Sequence, residues 1–491
     1  MRSIFNQWIK KNIVLLANSG SLVGTTAITS LLGFVYWWIA ARQFPAEAVG
    51  IASAAVSVML LLGSVCTLGL GTLLITELPR RPSQATTLMS TALAITGGAG
   101  IIGGSLFIVA APHISASLQP LINNGILDML IFVAGVSLTS MTLVLDQALI
   151  GLLRGGLQLW RNALFAATKL LLLFVAGLYL LTKTGIVIYV TWALGNLLAL
   201  VSLLGFIRPQ SYASLRAYLP DWKLIRRLGK PALQHHVLNM TLQTPALLLP
   251  VLVTIILSAT TNAWFYVAWM IANFVFVVPL ALTTTLHAIT SAQQSALRQK
   301  IRVTLGVAAI TGILTNIPLQ LATGQILEIF GHAYADQAAW CLRILAAGVF
   351  PLIIKNHFIS ICRIQDNITQ AIRYLFPGGL LELVAAIAGA HFASLTGLSL
   401  GWLAAICIEA LIMLPTVYKA IFGKSNIRQN YISYNLAAIK PVWQLETAIL
   451  PAIVISGPGT HPTPSTRRKS SQFKQPYPGR PFRSQAARSM K

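Results

Sequence analysis

Polar positions along this chain are grouped, and the apolar positions between them run on without a break. Twelve stretches are nearly free of charge: 18–41, 49–76, 88–112, 126–150, 163–182, 185–206, 237–257, 262–286, 303–323, 340–364, 377–396 and 398–419. Surface helices carry an apolar stripe and strands alternate, but these segments are apolar all round. A bilayer core needs about 20 residues at 1.5 Å per residue, so each stretch predicts a spanning helix. The expected fold class is an all-α polytopic membrane protein with twelve transmembrane helices.

The polar groups between the stretches set an orientation. Alternate loops hold Arg80 and Arg81; Arg154 and Arg161; Arg208, Arg216, Lys223, Arg226, Arg227 and Lys230; Arg298, Lys300 and Arg302; and Arg363 and Arg373. The intervening loops hold little beyond Arg42 and Lys183. Basic loops stay inside, which predicts two cytoplasmic termini in a bacterial cytoplasmic membrane. The longest basic loop divides the chain. We expect an N-lobe over 1–206, an inter-lobe loop over 207–236, a C-lobe over 237–423, an interfacial amphipathic segment over 424–455 and a disordered basic tail over 456–491. The tail is rich in Pro, Ser and Arg, and anionic membrane lipid is its expected partner.

Composition agrees. The chain is 56% hydrophobic and 9% charged, against roughly 25% charged in a soluble domain. A net charge of +24 would suggest nucleic acid in a soluble protein. Here the charge belongs to loops and tail, and no nucleic acid is expected. Cys66, Cys341, Cys362 and Cys407 lack metal or redox spacing and read as small core residues. "GGAGIIGG" at 97–104 reads as close helix packing through Gly100 and Gly104. No phosphate loop, dinucleotide fingerprint or zinc motif is present, so no cofactor and no metal are expected.

Six spans on each side of the long loop give halves of the same orientation, hence two parallel six-helix bundles related by an axis along the membrane normal. "DQALIGLLRGGLQLWRNA" from Asp146 lies without a gap against "KNHFISICRIQDNITQAI" from Lys355, pairing Asp146 with Lys355 and Arg154 with Arg363.

Charges inside spans mark function by default, because each costs roughly 2.5–3.5 kcal/mol at the centre. Asp146 lies near the inner end of span 4, where Arg154 or Lys169 can reach it, and reads as a structural pin. Lys169 and Lys355 lie about 10–13 Å deep by helical rise, with no acid within one turn. They are candidates for an anionic substrate. The competing reading pairs Lys355 with Glu382 or Glu409 as structural or coupling acids. His357 reads as a packed core histidine. His235 and His236 are poor metal candidates, and Pro231, Pro245, Pro250, Pro279, Pro318 and Pro351 read as bends.

Several features are similar to one family. Pro45 and Gly50 open span 2, "GLG" occupies 69–71, "LPRR" occupies 78–81, "DQALIGLLRGGLQLWRNALFAATK" leads into span 5, and "NAWFYVAWMIANFVFVVPLALTTTL" fills span 8. Over residues 12–420 the chain resembles the polysaccharide-exporter, Wzx-like branch of the multidrug/oligosaccharidyl-lipid/polysaccharide (MOP) flippase superfamily. The resemblance implies MATE/MOP-like bundles and alternating access. It implies a transporter, not an enzyme, that moves an undecaprenyl-diphosphate-linked oligosaccharide for exopolysaccharide or lipopolysaccharide biosynthesis. It also implies a cationic cleft between lobes. Lys169 and Lys355 suit that cleft, with Arg42, Arg154 and Arg161 as further candidates, and polysaccharide assembly proteins are possible partners. A multidrug or metabolite exporter of the same superfamily is the alternative. A membrane polymerase or ligase would need a catalytic outer loop, and 324–339 offers only Glu328, His332 and Asp336.

Overall fold

A computed structural model describes residues 2–114, 119, 125–203, 222–292, 297–365 and 367–422. The expected amphipathic segment and basic tail lie outside the described residues. The described chain is helical, without strands. The first half comprises α1 (Arg2–Gln43), α2 (Ala46–Cys66), α3 (Leu70–Glu77), α4 (Ala85–Ile114), α5 (Ile126–Gly151), α6 (Gly155–Tyr179) and α7 (Gly185–Ser202). The second comprises α8 (Trp222–Ile256), α9 (Ala259–Ala292), α10 (Leu297–Leu321), α11 (Thr323–Glu328), α12 (His332–Ala347), α13 (Val349–Ile364) and α14 (Ile368–Phe422).

Eleven helical stretches among the described residues are long and apolar enough to cross a membrane. The last, α14, is two spans in one. Ala393 and Ser394 leave helical geometry, and Gly389 and Gly401 then meet the backbone of Gly397 and Ala385. That pairing describes an antiparallel hairpin, giving twelve spans in two sextets. Outward side chains are apolar: Leu171 is 62% exposed, Leu106 65% and Phe392 90%. Such a surface suits acyl chains and would be an aggregation hazard in water.

Boundaries differ from the sequence reading in instructive ways. Span 2 breaks at Thr67–Gly69, where Leu68 and Gly69 take φ of 50° and 75°. Span 10 divides at Gly348, between α12 and α13, where Trp402 packs against that glycine. Residues 222–236, expected in the inter-lobe loop, belong to α8. Helix α6 starts at Gly155, well before the expected 163. Gly100 and Gly104 do pack closely, on Ser137 and Val133 of α5.

The two halves repeat with an offset of 213 residues. Ala46 and Ala259 open α2 and α9, and Gly155 and Ile368 open α6 and α14. Backbone bonds match at that offset: Arg154 N donates to Leu149 O as Asn367 N does to Cys362 O, both at 2.8 Å. Phe44 to Ala40 matches Leu257 to Val253. Tyr189 packs on Gly135 as Trp402 packs on Gly348. This corrects the gapless alignment, which set the halves four residues out. Four residues are about one helical turn, so an apolar pattern is almost unchanged by the slip. Consecutive spans run antiparallel, so the loops bearing Arg81, Arg154 and Arg363 share one end, the basic end.

Candidate functional site

Two charged groups of the N-lobe bear on the sequence-predicted site, apart from Glu77, which pairs with Arg80 and Arg81 at 3.3 and 3.0 Å. Asp146 lies five residues from the end of α5, and Arg161 lies six residues into α6, so the hairpin brings them level. Arg161 Nε donates to Asp146 Oδ1 at 2.9 Å and Nη2 to Oδ2 at 2.6 Å. This two-pronged contact is the strong form of the pair. Asn162 Nδ2 also reaches Asp146 Oδ2 at 3.2 Å. Arg161 Nη1 reaches Asn196 Oδ1 at 3.4 Å, and Asn196 Nδ2 reaches Thr142 Oγ1 at 3.3 Å. Asp146 is therefore pinned, but by Arg161; the expected partners were Arg154 and Lys169. Arg154 precedes the first turn of α6 and is exposed, as is Arg42 at the end of α1.

Lys169 sits fourteen residues from the start of α6, about 21 Å along the helix. It is 4% exposed. Its ammonium lies 3.3 Å from the ring centre of Trp192, 4.6 Å from Phe165 and 5.0 Å from Tyr36. Ring faces attract a cation, more strongly where water is absent. Among the described residues no carboxylate meets Lys169. Trp37 packs against Trp192 and Tyr36, so aromatic side chains stand between this lysine and the inter-lobe space.

The C-lobe builds a charged triad. Lys355 Nζ is 2.6 Å from Glu382 Oε1 and 2.8 Å from Glu409 Oε2. Trp402 Nε1 donates to Glu382 Oε2 at 2.8 Å. The two acids come from opposite arms of α14, so Lys355 ties the hairpin together. Gly378 makes room: a Cβ there would meet the Glu409 carboxylate. Glu409 is 2% exposed and its Oε1 receives no hydrogen bond. His357 contacts Ile353 O and Thr304 Oγ1, as a packed core histidine does. Three residues at the 213 offset compare directly. Thr142, Lys169 and Asn196 in the N-lobe correspond to Lys355, Glu382 and Glu409. Both lobes thus carry a polar layer at one depth, with acids only in the second.

One cavity touches the triad, and a second shares a wall with it. One, of about 310 Å³, lies between the lobes, lined by Phe34, Trp37 and Ser57 from α1 and α2 and by Pro250, Tyr266 and Asn273 from α8 and α9. The other, of about 330 Å³, lies within the C-lobe, lined by Asn273, Lys355, Ser360, Arg363, Glu382 and Trp402 among others. Ala246, Trp269 and Asn273 belong to both walls. Arg42, Arg154, Arg161 and Lys169 line neither. Sequence reasoning missed Arg363 as a site residue, assigning it to loop charge. Its signal was spacing: Lys355, Ile359 and Arg363 share one face of α13 and all line the cavity. Among the described residues Arg363 has no acidic partner.

Solved structures of this architecture exist. The chain aligns over 81% of its length with 98% of an inward-facing multidrug resistance MATE family transporter of the MOP superfamily, at 13% identity and a TM-score of 0.63. The outward-facing conformation of such a transporter gives 12% identity, 83% and 95% coverage and a TM-score of 0.58. A MOP superfamily transporter from Pyrococcus furiosus, described as having a binding pocket of reverse polarity, gives 13%, 83% and 95%, and 0.57. No protein-family model matches the chain, and no curated protein does. The fold is that of MATE-type MOP transporters: twelve helices in two bundles.

Proposed function

We propose that this protein is an alternating-access transporter that moves a lipid-linked, diphosphate-bearing oligosaccharide from the basic-end leaflet to the opposite one. On this reading it is a Wzx-like flippase serving exopolysaccharide or lipopolysaccharide assembly in a bacterial cytoplasmic membrane. The observation that carries it is the wall of the C-lobe cavity. Lys355 and Arg363 stand eight residues apart on one face of α13, about 12 Å by helical rise, and Arg363 has no acidic partner among the described residues. Long side chains rooted at that backbone spacing can converge on one diphosphate, and guanidinium binds phosphate oxygens two at a time. The adjoining inter-lobe cavity offers Trp37, Tyr266 and Trp269 with Thr29, Ser57 and Asn273. Aromatic faces with scattered hydroxyls and amides suit sugar rings.

The test uses proteoliposomes containing a fluorescent undecaprenyl-diphosphate oligosaccharide. Flipping should fall at least about tenfold in Arg363→Glu and stay near wild type in Arg363→Lys, because a hydrogen bond to a charged group is worth about 1.5–3 kcal/mol. An inactive wild type that still extrudes cationic dyes would refute the assignment. That outcome belongs to a second reading, multidrug export. It is favoured by one observation: the membrane-embedded carboxylates of Glu382 and Glu409 beside the cavity, which suit a cationic cargo.

A further inference from the structure

Lys355 is shared. In this structure its ammonium is held by two carboxylates, while the same side chain lines the cavity where the reading above places an anion. It cannot serve both fully. The Lys355, Glu382 and Glu409 side chains sum to −1 when all are ionised, and each is at most 11% exposed. Two carboxylates flanking one ammonium cannot both stay ionised once it moves away, because like charges at that range in a dry site repel strongly. Trp402 anchors Glu382, and the Glu409 carboxylate sits in the space that Gly378 leaves by having no side chain. The bare Oε1 of Glu409 is the buried position where a proton relieves the charge. Other charges are few. Arg363 is the remaining ionisable group in the cavity wall, and α8 and α9 contribute uncharged side chains to it. His357 faces Thr304 of α10, away from the triad.

We propose that Lys355 is a transferable counter-ion, so that an anion entering the C-lobe cavity draws it from Glu382 and Glu409 and the acid pair takes up one proton from water. Anion and proton then bind with positive linkage: each raises the affinity of the other by the same factor. A site in which cargo and proton compete for the same acids would show the opposite sign. This inference rests on the anion reading of the cavity.

The experiment uses the detergent-solubilised full-length wild-type protein. Its probe is farnesyl-diphosphate-linked N-acetylglucosamine, whose two phosphodiester charges are fixed across the neutral range. Binding is followed by tryptophan fluorescence and proton exchange by an indicator dye in weak buffer. About one proton should be taken up per bound probe, and affinity should rise about tenfold for each unit the pH falls. In Glu382→Gln/Glu409→Gln the probe should still bind, with no proton uptake and no pH slope; if that variant does not fold, the wild-type proton count decides alone. Binding with no proton uptake, or with release, overturns the inference and leaves the proposed function standing. A sodium-dependent affinity without proton uptake also overturns it. Failure of the probe to bind at all, with dye binding intact, overturns the proposed function and this inference together.

Discussion

At the scale of single residues, the membrane interior makes every charge account for itself. Arg161 is 4% exposed and its partner is Asp146, so Asp146→Ala leaves a buried guanidinium unpaired. Breaking a buried pair by removing one member costs about 3–5 kcal/mol. The expected result is a clear drop in melting temperature by differential scanning fluorimetry, largely recovered in Asp146→Ala/Arg161→Met. The sequence made Asp146 legible as a pin but not its partner. Arg154, eight residues on, is nearer in number than Arg161, fifteen residues on, and only the turn decides. Leu153, at φ 55°, reverses the chain, leaving Arg154 outside the helix and Arg161 level with the acid. Lys169 was legible as deep and free of acids. Its aromatic box was not, because Tyr36, Phe165 and Trp192 come from three helices.

At the scale of elements, the breaks carry the information. Several prolines read as bends in the sequence, and α9 and α10 do run on through Pro279 and Pro318, as α14 does through Pro377 and Pro415. In a bilayer the freed carbonyl can be satisfied by neighbouring helices, so proline is tolerated. The observed breaks fall where the chain packs: at Gly348 under Trp402 and at Ala393–Ser394 between the arms of α14. Because Gly389 and Gly397 meet backbone to backbone, Gly389→Leu should abolish assembly of the hairpin, seen as loss of monodisperse protein on size exclusion. Gly378→Ala is subtler. Its methyl group would meet the Glu409 carboxylate first, a side-chain end that can shift, so the fold should persist while the pH slope of anion binding flattens.

For the whole molecule, apolar runs and basic loops sufficed to reveal two like-oriented sextets, since both follow from the bilayer as solvent. What they could not fix was how the two lobes meet or the true register of the repeat. Away from the basic loops the lobes touch: Trp38 Nε1 donates to Ile329 O at 3.0 Å, and Phe34 and Phe330 meet edge to face at 5.3 Å. These contacts bridge the lobes on one side of the inter-lobe cavity. Trp38→Ala with Phe330→Ala should therefore speed the labelling of a cysteine at Ser57 by a membrane-impermeant reagent from that side; unchanged labelling would mean the barrier lies elsewhere. The register has its own consequence. One added residue turns everything beyond it by about 100°, swinging lining side chains into lipid. Many matched spans keep a single offset although threonine has become lysine, lysine glutamate and asparagine glutamate between them. Chemistry at a given angular position is thus free to change in this architecture, whereas angular phase is not, and redesign of its cavities should substitute side chains and leave span lengths alone.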